Sequence, residues 1–222
     1  MKRKSNTILL IVILSIISCI FSTNMLHKTY IYNETTTINI TTWNYIFSEY
    51  QENTVLAMSK PNFKAVATTN SNLNTLSLKV IREHNRTYSV QRNSQYLNFT
   101  NHSRGETQTK NIDISNQDWC GDFFFLKGFV LSDTTEKDFI MTMLFNQSVI
   151  KLKAIKEKDE VLTINKEKYD TIKVRITLPD WRSMFWSSYF WLRKSDGILV
   201  KSEEHRGPPG TPLTTMELVG EN

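Results

Sequence analysis

Ile172-Lys173-Val174-Arg175-Ile176-Thr177 alternates branched apolar residues with charged or polar ones at a period of two. Branched side chains crowd a helical turn but pack well on a pleated surface, where successive residues point to opposite faces. The stretch reads as a strand with one face buried and one wetted, the pattern of an antiparallel sheet covered on a single side. Ile150-Lys151-Leu152-Lys153-Ala154-Ile155 repeats it, and strands are expected over 139–145, 148–156, 160–165 and 172–178.

The same period runs outward in both directions. Towards the N-terminus it recurs in His27 to Tyr32, Thr37 to Thr41, Leu76-x-Leu78-x-Val80, Tyr88-x-Val90 and Ile112-x-Ile114. Asn70-Ser71-Asn72, His84-Asn85-Arg86, Gln91 to Ser94 and Ser103-Arg104-Gly105 supply turn chemistry between these runs, as in an antiparallel meander. Towards the C-terminus, apolar runs at 186–193 and 198–204 flank Lys194-Ser195-Asp196-Gly197, where Asp-Gly is a strong hairpin signal. The cluster Arg206 to Pro212 cannot pair in a central ladder, so it belongs at a rim, ahead of a closing strand over 213–219. One segment departs from the pattern: Trp119 to Leu131 places Phe123, Phe124, Phe125, Leu126, Phe129 and Val130 behind Asp118, a good N-cap residue. It reads as a short buried helix over 119–131, although a buried strand accounts equally for so short an apolar run.

The chain has 222 residues, 40% hydrophobic, 22% charged and 11% aromatic, with 7 Gly and 5 Pro. That composition excludes a disordered or collagen-like chain and is enough for one domain with a substantial core. The formal charge of +5 suggests an anionic partner at first. Much of it, however, sits in Lys2, Arg3 and Lys4, which precede an uncharged run from Ile8 to Phe21. A basic segment before an apolar run too short to span a bilayer reads as an export signal. Of 27 Lys+Arg, removal of those three leaves 24 against 22 Asp+Glu, a net of only +2.

Two processing routes fit this segment. Ile16-Ile17-Ser18-Cys19 has the form of a bacterial lipobox, which makes Cys19 the lipidated first residue and anchors the chain to a membrane by several acyl chains. Cleavage after Ser22 is the other, with an uncleaved anchor a third outcome. The expected organisation is an export signal over 1–18, a tether over 19–29 and a single β-rich domain over 30–222. The only other cysteine, Cys120, has acidic neighbours and reads as a buried, inert thiol.

From Trp119 onward the order of features resembles the bacterial domain-of-unknown-function family 3108, whose members are exported or envelope-anchored. The matching residues are Asp118-Trp119 to Phe129, Ile150 to Ala154 with Asp159-Glu160-Val161, Tyr169 to Ile176, and Trp191-Leu192-Arg193-Lys194-Ser195-Asp196-Gly197 leading to Lys201. Gly207 to Pro212 before a closing strand fits as well. The resemblance implies a mainly β fold, a curved antiparallel sheet like a half-open barrel with a short covering helix near 119–131. It implies no reaction and no catalytic residues.

Catalytic signals are sparse. No nucleophile elbow, zinc-binding His-Glu-x-x-His, phosphate loop or Cys-x-x-Cys occurs. His27, His84, His102 and His205 are scattered; Glu203-Glu204-His205 lacks a second histidine at ligand spacing and reads as a solvated strand end. No cofactor or metal is expected. Six Asn-x-Ser/Thr sequons, from Asn33 to Asn146, follow from an Asn- and Thr-rich composition in a bacterial reading.

The aromatic excess carries more information. Phe185, Tyr189 and Trp191 alternate with Trp186, Phe190 and Leu192, so this strand is apolar on both faces. Either the helix covers one face and a long loop the other, or part of the concave face stays open as a groove for an acyl chain or other apolar ligand. Phe185, Trp186, Tyr189, Phe190 and Trp191 are the candidate ligand face. Single-stranded nucleic acid at Arg182, Arg193 and Lys194 is disfavoured by the near-balanced mature charge. The leading expectation is a non-enzymatic envelope lipoprotein that is held on the membrane through Cys19 and takes a lipid or other apolar ligand. The alternatives are a scaffold that binds another envelope protein through a sheet edge, and an enzyme that draws together His205, Glu203 and Asp122.

Overall fold

The computed structural model describes residues 26–50, 53–70, 74–83, 86–115, 117–121, 126–206 and 210–222. Cys19, Asp122 and Phe123 to Phe125 lie outside the described residues. Within them the chain forms one sheet of fifteen strands. Eight come first: β1 (Leu26–Thr35), β2 (Ile40–Tyr50), β3 (Asn53–Lys60), β4 (Phe63–Asn70), β5 (Thr75–Arg82), β6 (Arg86–Asn93), β7 (Tyr96–Ser103) and β8 (Glu106–Asp113). A two-residue strand β9 (Trp119–Cys120) and helix α1 (Leu126–Leu131) follow. The second run is β10 (Glu136–Met143), β11 (Ser148–Ile164), β12 (Glu167–Thr177), β13 (Ser187–Arg193), β14 (Leu199–His205) and β15 (Leu213–Glu221), with a 3-10 helix (Asp180–Met184) before β13.

Each run is a meander of antiparallel neighbours, as the turn spacing predicts. Two of its hairpins, Arg104-Gly105 and Asn165-Lys166, carry positive φ at both central residues, the twist-matched geometry of tight β-turns. The two meanders join because β1 pairs antiparallel with β15, placing the first and last strands side by side in the middle of the sheet. The free edges are then β8 and β9. The sheet curls until these edges approach: the Gly121 N–H donates to Thr75 Oγ1 at 2.9 Å, Gln147 Nε2 donates to the Gln108 carbonyl at 3.4 Å, and the Tyr88 and Phe145 rings meet edge to face at 5.5 Å. A mainly β, curved antiparallel sheet with one short helix is thus the observed fold.

Inward alternation fills the curl. Tyr30 and Tyr32 from β1, Trp43, Tyr45 and Phe47 from β2, and Phe190 and Leu192 from β13 are all buried. The Tyr32 hydroxyl donates to the Leu199 carbonyl at 3.0 Å, tying β1 to β14 across the interior. Helix α1 buries Leu126, Phe129 and Val130 against this core, and Lys127 sits so close to Gly197 that a β-carbon there would lie 2.9 Å from the Lys127 Cα.

Three boundaries differ from expectation. Trp119 and Cys120 belong to a strand parallel to Ile140–Met141 of β10, so among the described residues the helix is Leu126–Leu131, and Asp118 bridges Lys137 at 3.0 Å instead of capping a helix at 119. The charged run Lys156 to Asp159 continues one long strand, β11, because a β-bulge at Glu157 absorbs the extra residue without breaking the pairing with β12. The run Thr37 to Thr41, read as extended, instead begins in a turn closed by the Thr36 N–H on the Asn39 carbonyl at 2.9 Å, and β2 starts at Ile40.

Candidate functional site

In an antiparallel meander every second turn falls on the same rim. The turns following β3, β5, β10, β12 and β14 therefore share one rim, and beneath it lies a cavity of about 750 Å³. Its apolar lining is Trp43, Tyr45, Phe190, Leu199 and Met216, with Phe63 nearer the rim as the cross-strand partner of Arg82. Each is an inward position of its strand, and the volume is in the range of small-molecule sites.

Paired charge borders the apolar lining on the rim side. Glu34, 5% exposed, occupies the inward parity of Tyr30 and Tyr32 on β1. It accepts hydrogen bonds from Trp43 Nε1 at 3.1 Å, Lys60 Nζ at 3.2 Å and Arg206 Nη1 at 2.5 Å. Glu204 accepts from the Ser202 hydroxyl at 2.8 Å and from Arg206 Nη2 at 3.3 Å. Burial pushes the Glu34 carboxyl up, but the Arg206 guanidinium and the Lys60 ammonium outweigh it and hold it below the usual carboxylate range. Burial likewise pulls Arg206 down, and Glu204 and Glu34 more than restore it. These four groups form a neutral, internally paired network. Lys60 also sits 4.3 Å above the Trp43 ring, fixing that indole by face as well as by edge.

The mouth is different. Arg82 lies 4.4 Å from the Phe145 ring centre and 5.7 Å from that of Phe63. Arg86, at the same rim, keeps its Nε buried without an acceptor. Among the described residues neither arginine has a carboxylate in ion-pairing range. Glu83 also lines the mouth, exposed to solvent.

The five aromatic residues expected to form a ligand face do not converge. Phe190 lines the cavity. Trp186 is half-buried and donates its indole N–H to the His205 carbonyl at 2.8 Å. Phe185 is exposed beside the 3-10 helix, edge-on to Trp181 at 5.6 Å. Tyr189 and Trp191 occupy the outer face, covered not by a long loop but by the Lys173 ammonium at 4.2 and 5.2 Å. Lys201 adds to this cover, and Trp191 Nε1 donates to Glu160 at 2.6 Å. Lysine stems therefore shield the second apolar face. Cys120 is buried, as expected. Glu203 pairs with Lys201 on the outer face, and His205 Nδ1 contacts the Thr211 carbonyl, so neither faces the cavity.

Glu34, Lys60, Arg82, Arg86 and Arg206 were not singled out from sequence. A usable signal existed for Glu34: in Tyr30-x-Tyr32-x-Glu34 a carboxylate stands at the apolar parity of a strand. The same signal marks Lys60, Arg82 and Arg86, in Leu56-x-Met58-x-Lys60, Leu78-x-Val80-x-Arg82 and Arg86-x-Tyr88-x-Val90, and none marks Arg206.

Neither a protein-family model nor a curated protein sequence matches the chain. Among solved structures, it is similar to a β-barrel-like protein of domain-of-unknown-function family 1849 from Brucella abortus, with a TM-score of 0.60 and 9% identity over 89% of this chain and 97% of that one. A family 1329 protein from Desulfovibrio piger gives 0.34 at 9% identity over 94% and 89%. A LolA superfamily protein from Nitrosomonas europaea gives 0.27 at 9% identity over 91% and 87%. The first shares the fold; the other two superimpose too loosely to say more.

Proposed function

We propose that this protein is a non-enzymatic binding protein of the bacterial envelope that takes an apolar chain into the cavity bounded by Trp43, Tyr45, Phe190, Leu199 and Met216. The observation that carries the reading is a cavity of about 750 Å³ with an apolar depth, left within an otherwise packed curled sheet. Folding fills interiors to high density, so a void of this size beside a full core is a site that the fold keeps open. Binding is favoured over catalysis because the ionised groups around Glu34 and Glu204 already pair with one another.

Uptake of N-phenyl-1-naphthylamine tests it. The expected result is a saturable rise in fluorescence that Met216→Trp and Leu199→Trp each weaken at least tenfold by filling the depth. Absence of saturable uptake by the unaltered protein overturns the reading.

Location is the second half of the proposal. The basic N-terminus, the apolar run and Ile16-Ile17-Ser18-Cys19 support export and anchoring through lipid on Cys19. Mass analysis of the N-terminus with and without globomycin decides it: accumulation of the unprocessed precursor supports lipidation, and an unchanged N-terminus at Thr23 rejects it.

A further inference from the structure

We infer that the ligand is an anionic amphiphile, an acyl chain with a carboxylate or phosphate head, and that Arg82 and Arg86 hold the head at the mouth while the chain enters the apolar depth. This inference rests on the binding reading above and narrows it. Among the described residues four cations line the cavity, and they divide into two kinds. Lys60 and Arg206 are neutralised by Glu34 and Glu204. Arg82 and Arg86 are not paired with any carboxylate among the described residues.

Register makes the second pair unusual. Arg82 and Arg86 are direct cross-strand partners at the end of the β5–β6 ladder. Like charges set opposite each other on a sheet destabilise it, and a buried guanidinium N–H without an acceptor adds a desolvation cost. Arg86 Nε carries that cost. For Arg82, Phe63 and Phe145 lie near the guanidinium and leave it without an anionic partner. A carboxylate or phosphate bridging the two guanidiniums would relieve both penalties at once, with the planar donor geometry arginine offers such anions. Glu83, exposed at the same rim, pairs with neither, so the mouth keeps a net positive charge. The Glu34 and Glu204 network, set at the ends of β1, β3 and β14 on the same rim, has both signs satisfied and offers no charge selection. The head is therefore chosen at the rim and the chain at depth.

The test compares cis-parinaric acid with its methyl ester, two probes with one chain and different heads. The unaltered protein is expected to bind the acid at least tenfold more tightly than the ester, and raised salt is expected to narrow the gap. Arg82→Gln/Arg86→Gln is expected to lower the ratio of acid to ester affinity to about one. The comparison on the unaltered chain needs no variant, so a folding defect in the double substitution does not blunt it. Equal affinity for acid and ester overturns the inference and leaves the binding reading standing; failure to bind either overturns both. Inorganic phosphate at millimolar concentration is expected not to displace the acid. Its displacement by phosphate alone would make this a site for free anions and overturn the amphiphile.

Discussion

Arg206 and Glu34, 172 residues apart in sequence, meet through a 2.5 Å hydrogen bond between Nη1 and Oε2 inside the curled sheet. The contact exists only because β1 and β15 pair, which brings the first strand within reach of the connection that leaves β14. It joins the two meanders and supports the wall of the cavity.

Removing one partner of that pair should be costly. Glu34→Ala leaves Arg206, Lys60 and the Trp43 indole without their shared acceptor, and a loss of about 3 kcal/mol is expected. Arg206 is partly exposed, which holds the figure at the low end of the range for buried pairs. Urea denaturation measures it; a loss below about 1 kcal/mol would show that water replaces the carboxylate freely.

The same carboxylate sets an acid limb. Because Arg206 and Lys60 lower the pKa of Glu34 in the folded protein, the unfolded chain binds the proton first as pH falls. Its stabilising contribution is full above the ordinary glutamate pKa of about 4.3 and is lost as pH drops through the lower folded value. Stability should therefore decline below about pH 4.5, and Glu34→Gln should flatten that decline. An identical pH profile in the variant would assign the limb elsewhere.

Tyr30 sets an alkaline limb of the opposite sense. Burial, reinforced by the Glu221 carboxylate, pushes its phenol up to about 12. Between the unfolded value near 10 and the folded value, the unfolded chain loses the proton first, so stability falls as pH rises. Tyr32, raised by burial and by Tyr30, acts in the same direction. Tyr30→Phe should reduce the alkaline slope, read as the denaturation midpoint from pH 9 to 12.

Two glycines should answer differently to alanine. Gly197 has φ +70°, and an added β-carbon would lie 2.9 Å from both the Cα and the carbonyl oxygen of Lys127. Gly197→Ala is therefore expected to cost about 3 kcal/mol, from backbone strain together with displacement of α1. Gly105 has φ +83° with open space around it. Gly105→Ala should cost only about 1 kcal/mol. Equal losses would show that α1 yields without penalty.

Strand parity was readable from the chain alone. Period-two alternation in Ile172 to Thr177 and Ile150 to Ile155, and the Asp196-Gly197 turn, are local properties of neighbouring residues, so sequence determined a mainly β meander and the place of most hairpins. Tertiary pairing decided the rest. Trp119-Cys120 read as helix because its partners, Ile140 and Met141, are distant in sequence and reward the extended form only once β10 is in place. Trp191 read as a ligand residue because nothing local reveals that Lys173 and Lys201, on neighbouring strands, cover it. The cavity needed the long-range pairing of β1 with β15, since only curling the joined meanders sets Trp43 and Phe190 around one space, whereas Arg82 opposite Arg86 follows from the local β5–β6 hairpin. Alternation dictates which side of a strand is apolar; which apolar residues stay unfilled depends on how distant strands close around them.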